Sequence, residues 1–185
     1  MGLVGLGRVG SHVARRLHNW EVRLLASDPY VERSRAEALG AALVDLQTLL
    51  AESDVVSLHA SLTDETRGLI GEKELRRMKP SAVLVNTARG EMADEEAVAR
   101  ALSEGWIAGA ALDAFVQEPL QAGSPLRAVD PERLILTPHN VSHSEAGRRA
   151  NLALALEQIL AAGRGEPPAH CVNPAAIPRW RAASA

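Results

Sequence analysis

Short apolar runs alternate along the chain with longer segments in which apolar residues recur every three or four positions. Runs rich in Val, Leu, Ile and Ala predict seven β-strands, at residues 3–4, 22–26, 41–44, 54–59, 82–86, 107–112 and 134–136. The run at 82–86 is apolar almost throughout, as expected for a strand that is covered on both faces of a sheet. The pattern therefore predicts a sheet that lies between layers of helix.

The segments around these runs carry helical periodicity. Val9, Val13 and Leu17 lie four residues apart, which places them on one face of a helix. Further helices are predicted at about 31–39, 94–103 and 142–161. Strands that alternate with helices indicate the α/β fold class with a doubly wound parallel sheet, of the Rossmann type.

The last predicted helix, 142–161, is apolar on more than one face. Such a helix is typical of one that packs on two sides, so we expect self-association into a homodimer. After Gly163 the sequence shows no helical or strand periodicity, because Gly and Pro residues interrupt it. We therefore predict one domain at 1–163 and an extended C-terminal tail at 164–185.

Composition and charge narrow the class of protein. Hydrophobic residues make up 46% and charged residues 23%, which is typical of a soluble globular protein. Lys and Arg number 20 against 23 Asp and Glu, so a nucleic-acid partner is not expected. No apolar run approaches the roughly 20 residues that span a bilayer, and the first residues do not have the pattern of a signal peptide. With a single cysteine, Cys171, we expect a cytoplasmic protein without membrane contact.

A glycine motif follows the first predicted strand. Gly5, Gly7 and Gly10 fit G-x-G-x-x-G, and the motif opens the first helix. In this context the first glycine permits a tight turn, the second lets a pyrophosphate approach the backbone, and the third lets helix and strand pack closely. The spacing therefore predicts a dinucleotide site; a structural turn without a ligand is the alternative.

Asp28 bears on which dinucleotide is bound. It stands at the end of the second predicted strand, where a carboxylate can accept hydrogen bonds from the ribose hydroxyls of NAD. The same carboxylate would repel the additional phosphate of NADP, so we predict NAD as the cofactor. The alternative is that Asp28 only caps a turn or a helix.

Four further segments follow predicted strands, at the edge of a parallel sheet where ligands bind. They are L-H-A-S-L-T-D-E-T-R-G-L-I at 58–70, V-N-T-A-R-G at 85–90, A-L-D-A-F-V-Q-E-P-L at 111–120 and L-T-P-H-N at 136–140. In this order they resemble the D-isomer-specific 2-hydroxyacid dehydrogenase family, and the resemblance extends from Gly2 to about Pro174.

The resemblance implies a role for four residues. Arg89 is expected to bind the carboxylate and carbonyl of the substrate, and Asp113 to contact the nicotinamide. Glu118 and His139 are expected to form the catalytic pair. The implied reaction is hydride transfer between NAD(H) and a D-2-hydroxy acid or its 2-oxo acid.

The chemistry of these residue types supports the assignment. Reduction of a 2-oxo acid needs a proton at oxygen, and histidine is the natural donor near neutral pH. A carboxylate beside the imidazole fixes its tautomer, and an arginine fork matches a planar carboxylate. The predicted catalytic residues are Arg89, Glu118 and His139. The predicted cofactor-binding residues are Gly5, Gly7, Arg8, Val9, Gly10, Asp28, His59, Thr66, Thr87, Ala88, Asp113 and His139; no metal site is predicted.

The chain differs from the family pattern at its start. Family members carry a substrate-binding domain before the glycine motif, whereas Met1 stands four residues before Gly5. We therefore expect this domain to be missing. Two functions stay open: a dehydrogenase, represented by its cofactor-binding and catalytic domain, or an NAD-binding module without turnover. A Rossmann methyltransferase fits less well, because it would leave the Arg, Glu and His without a task.

Overall fold

The computed structural model describes residues 1–140 and 144–178. A seven-stranded parallel sheet has the order β3-β2-β1-β4-β5-β6-β7. Its strands are β1 Gly2–Val4, β2 Leu24–Ser27, β3 Ala41–Leu43, β4 Val55–Leu58, β5 Val83–Asn86, β6 Gly109–Leu112 and β7 Leu134–Leu136. Each predicted run overlaps one of these strands, so the predicted doubly wound parallel sheet is confirmed.

Helices connect the strands. They are α1 Arg8–Leu17, α2 Arg33–Glu37, α3 Leu46–Glu52, α4 Glu72–Leu75, α5 Glu95–Ser103 and α6 Glu145–Gly163. The patterns at 31–39 and 94–103 correspond to α2 and α5, whereas α3 and α4 were not predicted. Asp45 caps α3 by accepting a hydrogen bond from the amide of Thr48, which is a typical helix start.

The core consists of two clusters of buried apolar residues. One cluster includes Leu3, Leu6, Ala14 and Leu24, around β1, β2 and α1. The larger cluster joins β4, β5 and β6 to α3, α4 and α5. The strand residues Leu58 and Leu84, for example, are fully buried there.

One residue of α1 is exposed although the periodicity places it on the buried face. Val13 and Leu17 pack against the core cluster around β1, but Val9 is 59% exposed. The residues that α1 buries are Gly10, Ser11 and Ala14. The predicted apolar face is therefore wrong at Val9, which stands at the open N-terminal end of the helix.

Contacts within the chain divide it into two compact units, Met1–His139 and Asn140–Ala185. The second unit contains α6, which starts after the capping residue Ser144; the first predicted residues of this helix, Ser142 and His143, lie outside the described residues. No residue of α6 is buried within the described part of the chain, so packing on two sides is not found there. The physical reason is that the other described residues of this unit offer α6 only a short 3-10 turn, Pro174–Ala176.

Among the residues described, no helix combines the length and the apolar character that a bilayer span would require.

Candidate active site

The glycine loop joins β1 to α1. Gly5 has φ +92°, a left-handed conformation, and a Cβ there would lie 2.5 Å from the amide nitrogen of Ala60. At Gly10 a Cβ would lie 2.1 Å from the carbonyl oxygen of Gly5. Both contacts are with backbone, which cannot move aside easily. These two glycines are therefore required by the turn and by the close packing of α1 on the loop.

The middle glycine has a different environment. Gly7 is the residue before α1, with extended backbone, and nothing lies within 4 Å of a Cβ built on it. The first hydrogen bond of α1 runs from the amide of Ser11 to the carbonyl of Gly7. The amides of Arg8, Val9 and Gly10 thus belong to the first turn, where amides lack acceptors within the helix. The open space and these amides fit a phosphate group.

Asp28 connects the glycine loop to the end of β2. Its Oδ2 accepts a hydrogen bond from the amide of Leu6 at 2.8 Å, and its Oδ1 accepts one from the amide of Tyr30 at 2.9 Å. The carboxylate is partly exposed and lies beside the glycine loop. This position fits a contact with a ribose. The carboxylate also stabilises the turn through the amides of Leu6 and Tyr30, as in the alternative interpretation of Asp28.

The loop after β4 carries His59 and Thr66. The amide of His59 donates to Val4, and burial lowers the pKa of its imidazole, so the ring is neutral at physiological pH. Its Nε2 is buried and has no hydrogen-bond partner among the described residues. The hydroxyl of Thr66 donates to the carbonyl of Ser61 at 2.7 Å and accepts from the amide of Thr63. Thr66 thus stabilises the conformation of this loop.

The loop after β5 presents Arg89. Buried Asn86 holds this loop, because its Nδ2 donates to the carbonyl of Arg89 at 2.8 Å and its Oδ1 accepts from the amide of Ala88. The guanidinium of Arg89 is exposed and donates to the carbonyl of Ala88. The intervening Thr87 is half-buried between these two contacts.

Gly90 brings this loop against the next one. A Cβ at Gly90 would lie 2.0 Å from the carbonyl carbon of Phe115, which any larger residue would push away. Sequence reasoning gave no role to Asn86 or Gly90. The position of Asn86 at the end of a strand was the available signal; the Gly90 contact depends on the fold.

Asp113 links the ends of three strands. Its side chain is buried and accepts a hydrogen bond from the hydroxyl of Thr137 at 2.5 Å. Its amide donates to the carbonyl of Asn86. The ends of β5, β6 and β7 are therefore held together directly beneath the loops of Arg89, Glu118 and His139.

Glu118 and His139 form a pair at this edge of the sheet. The imidazole Nδ1 lies 2.8 Å from both carboxylate oxygens of Glu118. Oε1 of Glu118 also accepts from the amide of Phe115 at 3.1 Å. With Nδ1 donating to the carboxylate, Nε2 is the ring nitrogen left to exchange a proton with a ligand.

His139 has an uncommon backbone conformation. Its φ is +51°, in the left-handed region. Histidine adopts this region more readily than most residues but at some energetic cost. The residue follows Pro138, and its ring contacts Glu118.

The charges around Glu118 keep it ionised. The hydrogen bond from His139 lowers the pKa of the Glu118 carboxyl below its ordinary value of 4.5, and the Phe115 amide and the charges of His139 and Arg89 act in the same direction. The charge of Arg89 is the smallest of these influences on Glu118, after the direct contact of Glu118 with His139. Arg89, Glu118 and His139 are the set of residues that the sequence predicted.

The lowered pKa of Glu118 predicts a pH dependence of stability. A carboxyl with a depressed folded pKa stabilises the protein above its ordinary pKa, and the contribution is lost as pH falls through the folded pKa. Thermal melts from about pH 7 to about pH 3 should therefore show a gap between wild type and Glu118→Gln that closes below about pH 4.5. On a His139→Ala background the gap should be smaller at neutral pH; an equal gap would show that His139 is not the cause.

A cavity of about 550 Å³ lies next to the pair. Arg127 orders one wall, since its guanidinium donates to the carbonyls of Gln121 and Leu120. The lining is mostly apolar: Phe115, Glu118, Pro119, Leu120, Arg127, Leu136, Thr137, Pro138 and His139. Within the described residues no cluster of His, Cys, Asp or Glu could hold a metal ion.

The glycine loop and the three catalytic candidates follow strands of one sheet, at its carboxyl edge. Residues 1–141 match the family model described as the D-isomer specific 2-hydroxyacid dehydrogenase, NAD binding domain. The chain belongs to this family. Its domain is therefore an NAD-binding domain, and the resemblance and the cofactor inferred from the sequence are confirmed.

Individual members of this dehydrogenase family show the same similarity. A glyoxylate reductase from Korarchaeum cryptofilum is 46% identical over 173 residues, which are 94% of this chain and 52% of the relative. A D-3-phosphoglycerate dehydrogenase from Archaeoglobus fulgidus is 42% identical over 93% of this chain and 32% of its own length. The chain spans about half the length of the glyoxylate reductase.

Solved structures of the dehydrogenase family have the same architecture. The NAD-complexed D-isomer specific 2-hydroxyacid dehydrogenase from Lactobacillus delbrueckii matches with a TM-score of 0.80 and 32% identity. The match covers 93% of this chain and 55% of that structure.

Proposed function

We propose that the chain is the cofactor-binding and catalytic-residue half of an NAD-dependent D-2-hydroxyacid dehydrogenase. The reaction is a hydride transfer between NAD(H) and a D-2-hydroxy acid or its 2-oxo acid. The observation that carries the proposal is the contact of His139 Nδ1 with the carboxylate of Glu118. A structural turn alone would not need this imidazole–carboxylate pair.

The glycine loop and the neighbouring loops would hold the cofactor. Bound NADH supplies the hydride, and bound NAD⁺ accepts it in the reverse direction. The amides after Gly7 would bind the pyrophosphate, and Asp28 would accept hydrogen bonds from the ribose hydroxyls. The remaining proposed contacts come from the first turn of α1 and the loops after β4, β5, β6 and β7: Arg8, Val9, His59, Thr66, Thr87, Ala88, Asp113 and His139.

His139 would act as the general acid in reduction and as the general base in oxidation. Its Nδ1 is held by Glu118, so Nε2 carries the exchanged proton. The ionised Glu118 stabilises the imidazolium before the proton leaves. Arg89 would bind the substrate carboxylate through two parallel hydrogen bonds.

An NAD-binding module without turnover is the second candidate. It is favoured by the length of the chain, about half that of the glyoxylate reductase relative. Both candidates bind NADH, so a fluorescence titration of NADH tests what they share. NADH oxidation with glyoxylate, hydroxypyruvate and similar 2-oxo acids separates them. Turnover supports the dehydrogenase, and tight NADH binding without turnover supports the module.

The glycine loop gives a matched pair of substitutions. Gly7→Ala puts a methyl group into open space, and the extended backbone of Gly7 accepts an alanine. The stability of the domain should therefore not change, and the urea concentration at half-unfolding should equal that of the wild type. NADH should bind about tenfold or more weakly, because the methyl group occupies the proposed pyrophosphate position. Gly10→Ala meets the Gly5 carbonyl and should destabilise the domain by about 1–3 kcal/mol.

Gly163→Ala is the control for this pair, because its Cβ is also free of neighbours within 4 Å. It should leave NADH binding unchanged. Wild-type affinity in Gly7→Ala would place the pyrophosphate elsewhere.

We further propose a homodimer. The support is the apolar surface of α6, where Leu152, Leu156 and Ile159 are 68%, 56% and 66% exposed. We propose in addition that the dinucleotide-binding domain comprises residues 1–163, that 164–185 form a C-terminal tail, and that the protein is cytoplasmic. Sedimentation velocity tests the homodimer, and a monomer at micromolar concentration would contradict it.

A further inference from the structure

A hydrogen bond crosses the end of β1 between two side chains to which the proposed function gives no role. The hydroxyl of Tyr30 donates to Oε2 of Glu65 at 2.5 Å. Tyr30 follows β2 and Glu65 follows β4, and in the sheet these strands are the two neighbours of β1. The bond therefore passes over the strand from which the glycine loop emerges. We call it the Tyr30–Glu65 clasp.

Both ends of the clasp are anchored. The amide of Tyr30 donates to Oδ1 of Asp28. On the other side, Thr66 fastens the Glu65 loop through hydrogen bonds with Ser61 and Thr63. The clasp is thus tied to the carboxylate that is expected to meet the ribose.

The exposure of the clasp argues against a role in the core. Tyr30 is 78% exposed, and Glu65 is exposed as well. A hydrogen bond between exposed side chains contributes little to stability, because water competes for both partners. A pair with little structural value beside Asp28 and the glycine loop fits a role toward the dinucleotide.

The clasp also concentrates negative charge. Its hydrogen bond raises the pKa of the Tyr30 hydroxyl above the ordinary 10.0, and the charges of Glu65 and Asp28 add to this. Tyr30 therefore stays protonated and keeps donating at neutral pH. Two carboxylates, Asp28 and Glu65, act on one hydroxyl.

We propose that the Tyr30–Glu65 clasp is a second determinant of cofactor choice. It holds the Glu65 carboxylate on the Asp28 side of the glycine loop, where that carboxylate disfavours the additional phosphate of NADP. The inference rests on the proposed binding of the dinucleotide at the glycine loop. Glu65 thus adds a second negative charge to Asp28 in the discrimination between NAD and NADP.

Titrations of NADH and NADPH with Glu65→Gln test the clasp. The NADPH dissociation constant should fall about fivefold, as expected for unit charges that interact through water. The NADH dissociation constant should stay within about twofold, because NADH lacks the additional phosphate that would face the removed charge. Asp64→Asn is the matched control, since it removes the same charge one residue away from the carboxylate that Tyr30 contacts.

A second variant tests the positioning by Tyr30. Tyr30→Phe keeps the ring but releases Glu65, so the preference for NADH should fall by less than in Glu65→Gln. The double variant should equal Glu65→Gln, because Tyr30 acts only through that carboxylate. The effect should shrink at high salt, where charges are screened.

The outcomes separate this inference from the proposed function. An unchanged NADH preference in Glu65→Gln, or an equal change in Asp64→Asn, would overturn the inference while NADH binding stands. Additive effects of the two clasp variants would overturn the positioning role of Tyr30. A wild-type chain that binds neither dinucleotide would overturn both proposals.

Discussion

Replacing His139 with asparagine should lower the rate of NADH-dependent reduction about 10²–10⁴-fold, the usual contribution of a general acid. Asparagine is suited to isolate this chemistry. It tolerates left-handed backbone, so the φ of +51° at this position can persist. Its amide can still donate toward Glu118, but it cannot deliver a proton to a substrate oxygen.

The measurement compares turnover at saturating NADH with the NADH dissociation constant. Turnover should fall far more than NADH affinity, because the pyrophosphate and ribose contacts lie at other loops. His170→Asn, the same substitution in the other compact unit, is the control and should keep full turnover. Unchanged turnover in His139→Asn would remove His139 from the mechanism.

The sheet could be predicted well from the sequence. Parallel strands that are covered on both faces must be apolar, and the run at 82–86 stands out for this reason. The short helices could not be found in the same way. Glu72–Leu75 has four residues and cannot display a helical period, and Leu46–Glu52, with seven residues, displays hardly two turns of it.

Val9 shows where periodicity misleads. An apolar residue four positions before Val13 fits a core face, yet the first turn of α1 projects into open space next to Gly7. The side chain of a residue at a helix end does not need to follow the buried stripe. The same position was also predicted to contact the cofactor, and its exposure is compatible with that proposal.

The members of the catalytic set could be named from the sequence, but not their geometry. The predicted strand ends place Arg89, Glu118 and His139 at one edge of the sheet. Their proximity depends on the order of β5, β6 and β7 and on the contact of Gly90 with Phe115. Such a backbone contact leaves no periodic signal in the chain.

The Tyr30–Glu65 clasp was also beyond sequence reasoning. Its partners are 35 residues apart, in loops after β2 and β4. They meet because β1, the first strand of the chain, lies between those two strands. Local patterns predict the strands, whereas this strand order results from how they pack.

Asp28→Asn should change the choice between NADH and NADPH by up to about a thousandfold. Two like charges about 4 Å apart repel by roughly 4 kcal/mol at an effective dielectric of 20, and each 1.4 kcal/mol is tenfold in affinity. Asparagine removes the charge with almost the same shape. NADPH should therefore bind much more tightly, and NADH somewhat more weakly because one ribose acceptor is lost.

The structural task of Asp28 makes the ratio of the two affinities the decisive quantity. The carboxylate also accepts from the amides of Leu6 and Tyr30, and asparagine keeps only one acceptor oxygen. Any resulting distortion of the glycine loop weakens both dinucleotides equally and cancels in the ratio. Asp130→Asn, which removes a carboxylate that accepts from the amide of Glu132, is the control for charge and should leave the ratio unchanged. If both affinities fall together in Asp28→Asn, the residue serves only the turn, and the preference for NAD must come from other charges.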